Sequence, residues 1–424
     1  MSGEFPQGYY AASAAPRPDR VPLSGVVRSD FCVVGAGFTG LNAALALAEA
    51  GARLIVVEAE QVGFAASGRN GGQIHTGLRK TQAELERWLG PLHARDLWNL
   101  SDESKSLLCD RIAEHDIACD LKHGLVIAAH DRAALRELSE DTEHLSAAYG
   151  YRARMMDATK TAEQLGTDVY PGARWDGGGG HLHPLKYARG LAAAAETAGV
   201  QIFEHSQVQT LDEDKDRVNL RCANGTIAAG KVLLATDAFS GAIAPALAAY
   251  IAHVESFVVA TAPLSPELSA RVLPLDAAVA DTRHVLDYYR KSADHRMLYA
   301  GREAYWSAPK DIARLVRPRM AKVYPMLADA AIEFAWCGTV GITRTRMPHL
   351  GRLSERVLYA HGYSGQGVAL ANVGGVVMAE AALGQPERFD VFARVPAHKF
   401  PGGALLRKPL VAAALTGFKI LDAL

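Results

Sequence analysis

Asp30–Val34 is a short, β-branched apolar run that stops at a cluster of glycines, as buried parallel strands do. Gly35-Ala36-Gly37-Phe38-Thr39-Gly40 follows, and an Ala- and Leu-rich stretch over 41–50 predicts a helix that ends at Gly51. Arg53–Val57 reads as the next strand and closes on Glu58, so the order is strand, glycine turn, helix, strand, acid. Between Lys80 and Ser146, Leu97, Leu100, Leu107 and Leu108 recur near helical spacing among charges and predict a mostly helical stretch. A helix over Leu185–Ala198, with Pro184 before its first turn and Gly199 after it, leads into a strand over 200–204. Val218–Cys222 and Thr226–Ala235 alternate around Asn224-Gly225, a two-residue hairpin signal. From about Ala252 to Ile342, runs at 255–261, 284–290 and 296–301 with one helix near Lys310–Val323 predict an antiparallel sheet under helical cover. Val357–Ala360 restores the parallel pattern, entering His361-Gly362-Tyr363-Ser364-Gly365-Gln366-Gly367 and a small-residue helix to Leu383.

A chain of 424 residues has room for two or three structural units or one large discontinuous fold. Its 45 Lys and Arg against 46 Asp and Glu leave no long-range field, and blocks of like charge are missing, which argues against nucleic acid as a partner. Cys32, Cys109, Cys119, Cys222 and Cys337 are scattered and never in C-x-x-C spacing, so neither a disulfide framework nor a structural zinc site is expected. His181 and His183 form an H-x-H pair without carboxylates at ligand spacing, so no metal is expected either. A reducing compartment fits this cysteine usage, and the first twenty residues lack the basic start and apolar run of a secretory signal. The expectation is a cytoplasmic protein with no membrane-spanning helix. Residues 405–424 are apolar with Arg407, Lys408 and Lys419 interspersed, so this tail either packs on the body or lies as an amphipathic helix in a bilayer interface.

The context of the glycine turn gives it meaning. Gly35 allows the tight turn, Gly37 lets a pyrophosphate approach backbone N–H groups at the helix N-terminus, and Gly40 allows close helix–strand packing. Glu58 is placed to accept hydrogen bonds from ribose hydroxyls, and its charge disfavours a 2′-phosphate. The run from Gly63 to Gln73 is rich in small residues that let backbone come within contact of a flat ring. In the 361–367 segment, backbone N–H groups before a helix face a potential anion.

Taken in order, these motifs resemble the amine- and amino-acid-oxidising flavoproteins of the D-amino-acid-oxidase-like family. The Ser67–Gln73 run is particularly similar to the gamma-glutamylputrescine oxidase branch. The resemblance extends over about 30–401, including 183–192, 231–240 and 345–353. It implies an α/β protein with a discontinuous Rossmann-type FAD-binding domain (27–105, 176–250 and 336–390). An α+β substrate domain with a mostly antiparallel sheet (106–175 and 251–335) and a tail from 391 complete it. It further implies that Gly35, Gly37 and Gly40 bind the FAD pyrophosphate and Glu58 the ribose. Ser67, Arg69, Asn70, Gly71, Gly72 and Gln73 then line the isoalloxazine, Val208, Ala235 and Thr236 add contacts, and Gly362, Tyr363, Gly365, Gln366 and Gly367 meet its pyrimidine edge. Donors from that last loop would stabilise negative charge developing at the ring's N1 and C2 carbonyl as hydride leaves the substrate.

Departures from the better-known relatives bear on the substrate. Where sarcosine oxidases carry a lysine after the late glycine loop and a carboxylate-gripping arginine after the flavin-lining loop, this chain has Ala369 and Ile74. Where glycine oxidase has its carboxylate arginine, it has Val340. The strand 296–301 has no oxygen-activating lysine, leaving oxygen or a quinone as the acceptor. Tyr288, Tyr289 and Arg290 are the expected substrate-facing residues beside Gln366, with Glu255 and Trp306 as further candidates. Cys337 falls near the position where sarcosine oxidases attach flavin, and non-covalent FAD is expected here. The expected reaction is oxidation of a gamma-glutamylputrescine-like amine or a cyclic imino acid. The alternatives are a 2-hydroxyacid dehydrogenase and a quinone-linked amino acid dehydrogenase on the inner face of a membrane.

Overall fold

The computed structural model describes residues 8–304 and 309–401. Trp306 and the tail 405–424 lie outside the described residues. Two sheets organise the rest. In the first, the strands Val357–His361, Gly225–Leu234, Gly25–Val34, Leu54–Val57 and Gln201–Phe203 run parallel in that order, and His349–Arg352 adds an antiparallel edge. Their near-continuous apolar sequences follow from burial on both faces. Val33, Val56, Leu233 and Leu358 turn to a core shared with the helices Phe38–Glu49, Pro91–Glu114, Pro184–Thr197 and Gly367–Ala382. Cys32, Val34, Ile55, Val57, Val232 and Leu234 turn the other way, into a second core closed by Val218, Leu220 and Leu247.

The second sheet has nine strands, ordered Ile332–Thr343, Ile251–Thr261, Met297–Ala304, Tyr288–Lys291, Ala278–Asp281, Lys122–Ala128, Gly172–His181 and Gln73–Ile74, with Arg154–Asp157 pairing beside Gly172–His181. All neighbours are antiparallel except Ala278–Asp281 with Lys122–Ala128, which agrees with the antiparallel expectation. One face packs on the helix Ile312–Val323 through Phe257, Val259, Val279 and Tyr299. The other face turns toward the first sheet.

Local differences from the sequence reading have physical causes. The first strand begins at Gly25 because Gly25–Ser29 pair with Gly225–Ala229. The stretch from Lys80 to Ser146 is broken by the strand Lys122–Ala128, whose Leu125 and Val126 are buried although charged helices flank them. Cys222 N–H donates to the Gly225 carbonyl at 2.9 Å and Arg221 pairs with Thr226. The hairpin therefore turns at Ala223-Asn224, one residue before the Asn-Gly pair. Gly172–His181 is a strand despite four consecutive glycines, because Leu125 and the Ile74 carbonyl approach too closely for side chains there. The sequence division at 175/176 and at 335/336 passes through Gly172–His181 and Ile332–Thr343, both whole members of the second sheet. His183 is a helix cap, its Nδ1 accepting from Lys186 N–H at 3.2 Å. Among the described residues no helix is long and apolar enough to cross a membrane.

Candidate active site

The glycine turn sits at the carboxyl ends of the parallel strands, where open α/β sheets bind ligands. Gly35 takes φ +105°, a conformation that glycine tolerates, and a Cβ there would lie 2.7 Å from the Ala235 carbonyl oxygen. A Cβ on Gly40 would come within 1.9 Å of the Gly35 carbonyl, so helix and strand touch backbone to backbone. Gly37 begins the helix without a side-chain cap of its own, and Ser67 Oγ accepts from Phe38 N–H at 3.0 Å. Glu58 caps the neighbouring strand, its carboxylate accepting from Ala36 N–H at 2.7 Å and Glu60 N–H at 3.0 Å. Burial raises its pKa above the usual carboxylate range, against those backbone donors. The segment leading to Val208 is held against it, Ser206 N–H donating to the Glu58 carbonyl at 2.7 Å. Ala235 N–H donates to Val34 at 2.9 Å, and Thr236 follows on the same edge. A helix that starts at a glycine, a close-packed glycine turn and an adjacent half-buried carboxylate fit the pyrophosphate and ribose of FAD.

The segment 67–73 is shaped by its own side chains. Asn70 accepts from Gly72 N–H at 2.7 Å and donates to the Ala66 and Ser67 carbonyls. Arg69 lies over the Phe64 ring, and its carbonyl accepts from Trp336 Nε1 at 3.0 Å. Gln73 is buried and donates to the Val279 carbonyl at 2.8 Å, tying the segment to the second sheet. The late loop is held from the other side. Asp237 Oδ1 accepts from Gly362 N–H at 2.7 Å and Oδ2 from Gly341 N–H at 3.3 Å, and burial raises the Asp237 pKa. Tyr363 turns into the core, its hydroxyl accepting from Thr39 at 2.9 Å. Gly365 faces open space, Gly367 starts the following helix, and Gln366 Oε1 is buried with no partner among the described residues. That orphaned acceptor and the open loop leave room for a polar ring edge.

Between these loops and the second sheet lies a cavity of about 440 Å³. Tyr288 lines it, bonded through its hydroxyl to Ser256 Oγ at 2.9 Å, and burial pushes the phenol up to about 12. The adjacent residues do not reach it. Tyr289 points to the opposite face and stacks on Tyr299 with centroids 5.3 Å apart. Arg290 is buried and engaged by carbonyls, donating from Nε to Gly71 at 2.8 Å and from Nη2 to Leu182 at 2.9 Å. Glu255 also faces away, accepting from Thr339 at 2.7 Å, and Cys337 is absent from the cavity lining. Sequence reasoning missed His75, Arg79, Glu303, Arg344 and Arg346, which line the cavity. His75 is bonded to Gln73 Oε1 at 3.1 Å, and burial, reinforced by Arg79, pushes its imidazole down to about 4. The only sequence signal was position: Arg79 trails the flavin-lining segment, and Arg344 and Arg346 precede Met347-Pro348.

A dinucleotide-type turn beside a cavity under a second, mostly antiparallel sheet is the arrangement of a flavin-dependent oxidoreductase. The chain belongs to the DAO family of FAD dependent oxidoreductases, whose pattern matches residues 30–381. It is 37% identical over 424 residues to Probable oxidoreductase OrdL of Haemophilus influenzae, covering 99% of this chain and 98% of that protein. It is 36% identical over 423 residues to gamma-glutamylputrescine oxidoreductase of Escherichia coli, covering 99% of each. The structure of glycine oxidase from Geobacillus kaustophilus superposes with a TM-score of 0.74 at 20% identity, over 85% of this chain and 95% of that one. At that identity the likeness shows a shared fold.

Proposed function

We propose that this protein oxidises the C–N bond of a gamma-glutamylputrescine-like amine or a cyclic imino acid to an imine. One observation carries the reading: beside Gly71 the cavity is walled by Tyr288, Ser256, Val254 and Val258, and among the described residues its lining holds one carboxylate, Glu303, against Arg69, Arg79, Arg344 and Arg346. A neutral phenol and apolar walls disfavour the charged amine, so its nitrogen keeps the lone pair that forms the C=N bond. FAD, when bound, supplies the two-electron acceptor for the hydride that leaves the adjacent carbon. The remaining nitrogen proton passes to water, and water then splits the imine to a carbonyl product and the released amine or ammonia. Burial pushes the His75 imidazole down to about 4, so this ring adds no positive charge to the cavity at pH 7. The backbone N–H groups of Gly362, Ser364 and Gln366 are taken within the protein, and the rest of the 362–367 loop would meet the charge that develops. The second electron acceptor is oxygen or a quinone, and the site of action is the cytoplasm or the inner face of a membrane. FAD is held without a covalent link, which Cys337's place outside the cavity lining supports.

Anaerobic addition of gamma-glutamylputrescine, proline or sarcosine to the yellow protein should bleach the flavin band with at least one of them. Bleaching by 2-hydroxyacids and by none of the amines would overturn the proposal. Acid precipitation should release the flavin into the supernatant.

A further inference from the structure

The cavity lining carries arginines that oxidation beside Tyr288 leaves unused. Arg79, Arg344 and Arg346 all contribute to its lining, with Glu303 among them. Arg79 Nε is shut off from solvent and has no hydrogen-bond partner among the described residues. Arg346 takes φ +60°, a left-handed conformation costly for a residue with a side chain, and its N–H donates to the Thr343 carbonyl at 3.1 Å. Burial, followed by repulsion from Arg346, pushes the Arg79 guanidinium down to about 10, with Glu303 acting in the opposite sense. Like charges drawn together and desolvated at the wall of a cavity cost free energy unless an anion arrives between them.

We infer that Arg79 and Arg346 receive the carboxylate of an α-amino-acid head at the far end of the substrate, away from the amine oxidised beside Tyr288 and Gly71. A γ-linked glutamyl amide has that form, because its α-carboxylate and α-ammonium stay free while the chain beyond the amide carries the reacting amine. A guanidinium pair grips a carboxylate through planar, two-pronged hydrogen bonds, which a simple diamine cannot use. The inference rests on the amine-oxidation reading and adds the end of the substrate that sets specificity.

The probe for binding alone is L-glutamic acid γ-n-butylamide, which keeps the head and lacks the terminal amine. Titrated into the FAD-loaded protein and followed by flavin absorbance and calorimetry, it should bind, and Arg79→Gln and Arg346→Gln should each weaken it on the order of 10- to 100-fold. In steady state, kcat/KM for gamma-glutamylputrescine relative to putrescine should fall by a similar factor, mainly through KM, and Arg79→Lys should recover part of it. No butylamide binding to the unmodified protein, or binding by both glutamine variants within twofold of it, would overturn the inference. Should Arg79→Gln fail to retain flavin, Arg346→Gln, on a partly exposed turn, decides alone. If amine oxidation itself is wrong, gamma-glutamylputrescine leaves the flavin oxidised although the butylamide binds; if only the inference is wrong, the flavin bleaches and the specificity ratio is unchanged.

Discussion

A methyl group on Gly71 would lie 2.6 Å from Tyr288 Cε2, closer than any tolerated contact, so the 67–73 segment and the cavity-lining tyrosine fit only without a side chain there. Gly71→Ala should push the ring toward the cavity and lower kcat/KM for the reducing amine at least tenfold while flavin stays bound, as visible absorbance per polypeptide would show. Arg290 is the contrasting case. Its donors go to the Gly71 and Leu182 carbonyls, so Arg290→Met should leave buried carbonyls unpaired and cost about 3 kcal/mol of stability, read from the urea midpoint. Strand alternation places Tyr288 and Tyr289 on opposite faces, against the expectation that both face the substrate. It could not show which face meets the cavity, because that depends on the helix Ile312–Val323 covering the Tyr289 side. The arginine's engagement with Leu182, distant in sequence, leaves no local pattern at all.

At the scale of elements, the late loop is positioned by a residue from another strand's end. Asp237 presents two carboxylate oxygens to two backbone N–H groups, and Asp237→Asn replaces one acceptor with a donor facing a donor. The variant should loosen the 362–365 turn and weaken FAD retention about tenfold, measured by fluorescence titration of the flavin-free protein. The strand–turn–helix–strand start was legible because glycines at fixed positions and β-branched runs are local signals, and the helix Pro184–Thr197 likewise announced itself through Pro184 and Gly199. The strands Lys122–Ala128 and Gly172–His181 were not, since one is a short apolar run among charged helices and the other carries five glycines with no strand preference. Pairing with each other and with their further neighbours in the sheet makes them strands. The arginines of the cavity lining escaped for the same reason: Arg79 and Arg346 meet through the fold, far apart in the chain.

Across the whole molecule, acid should be destabilising in a defined window. Burial lowers the imidazoles of His75 and His349 to about 4 and those of His183 and His361 to about 3. Unfolded histidine takes its proton near 6.5, so as pH falls below that value the unfolded chain binds protons the folded one refuses. Stability is therefore fully present above about 6.5 and is lost progressively toward about 3. Asp281, raised to about 6 chiefly by burial, acts in the opposite direction below pH 6 and only partly offsets four imidazoles. The melting temperature should fall between pH 7 and pH 5; a rise over that interval would refute the assignment of these rings as neutral.

Trp336 donates its indole N–H to the Arg69 carbonyl within the 67–73 segment proposed to line the flavin. That single bond supplies the protein with a built-in optical gauge: emission from this indole should be quenched by energy transfer when the yellow cofactor is seated and recover as it departs. Trp336→Phe should remove most of that recovery despite the four other tryptophans in the chain, making loading of the enzyme readable in ordinary ultraviolet light without any added label.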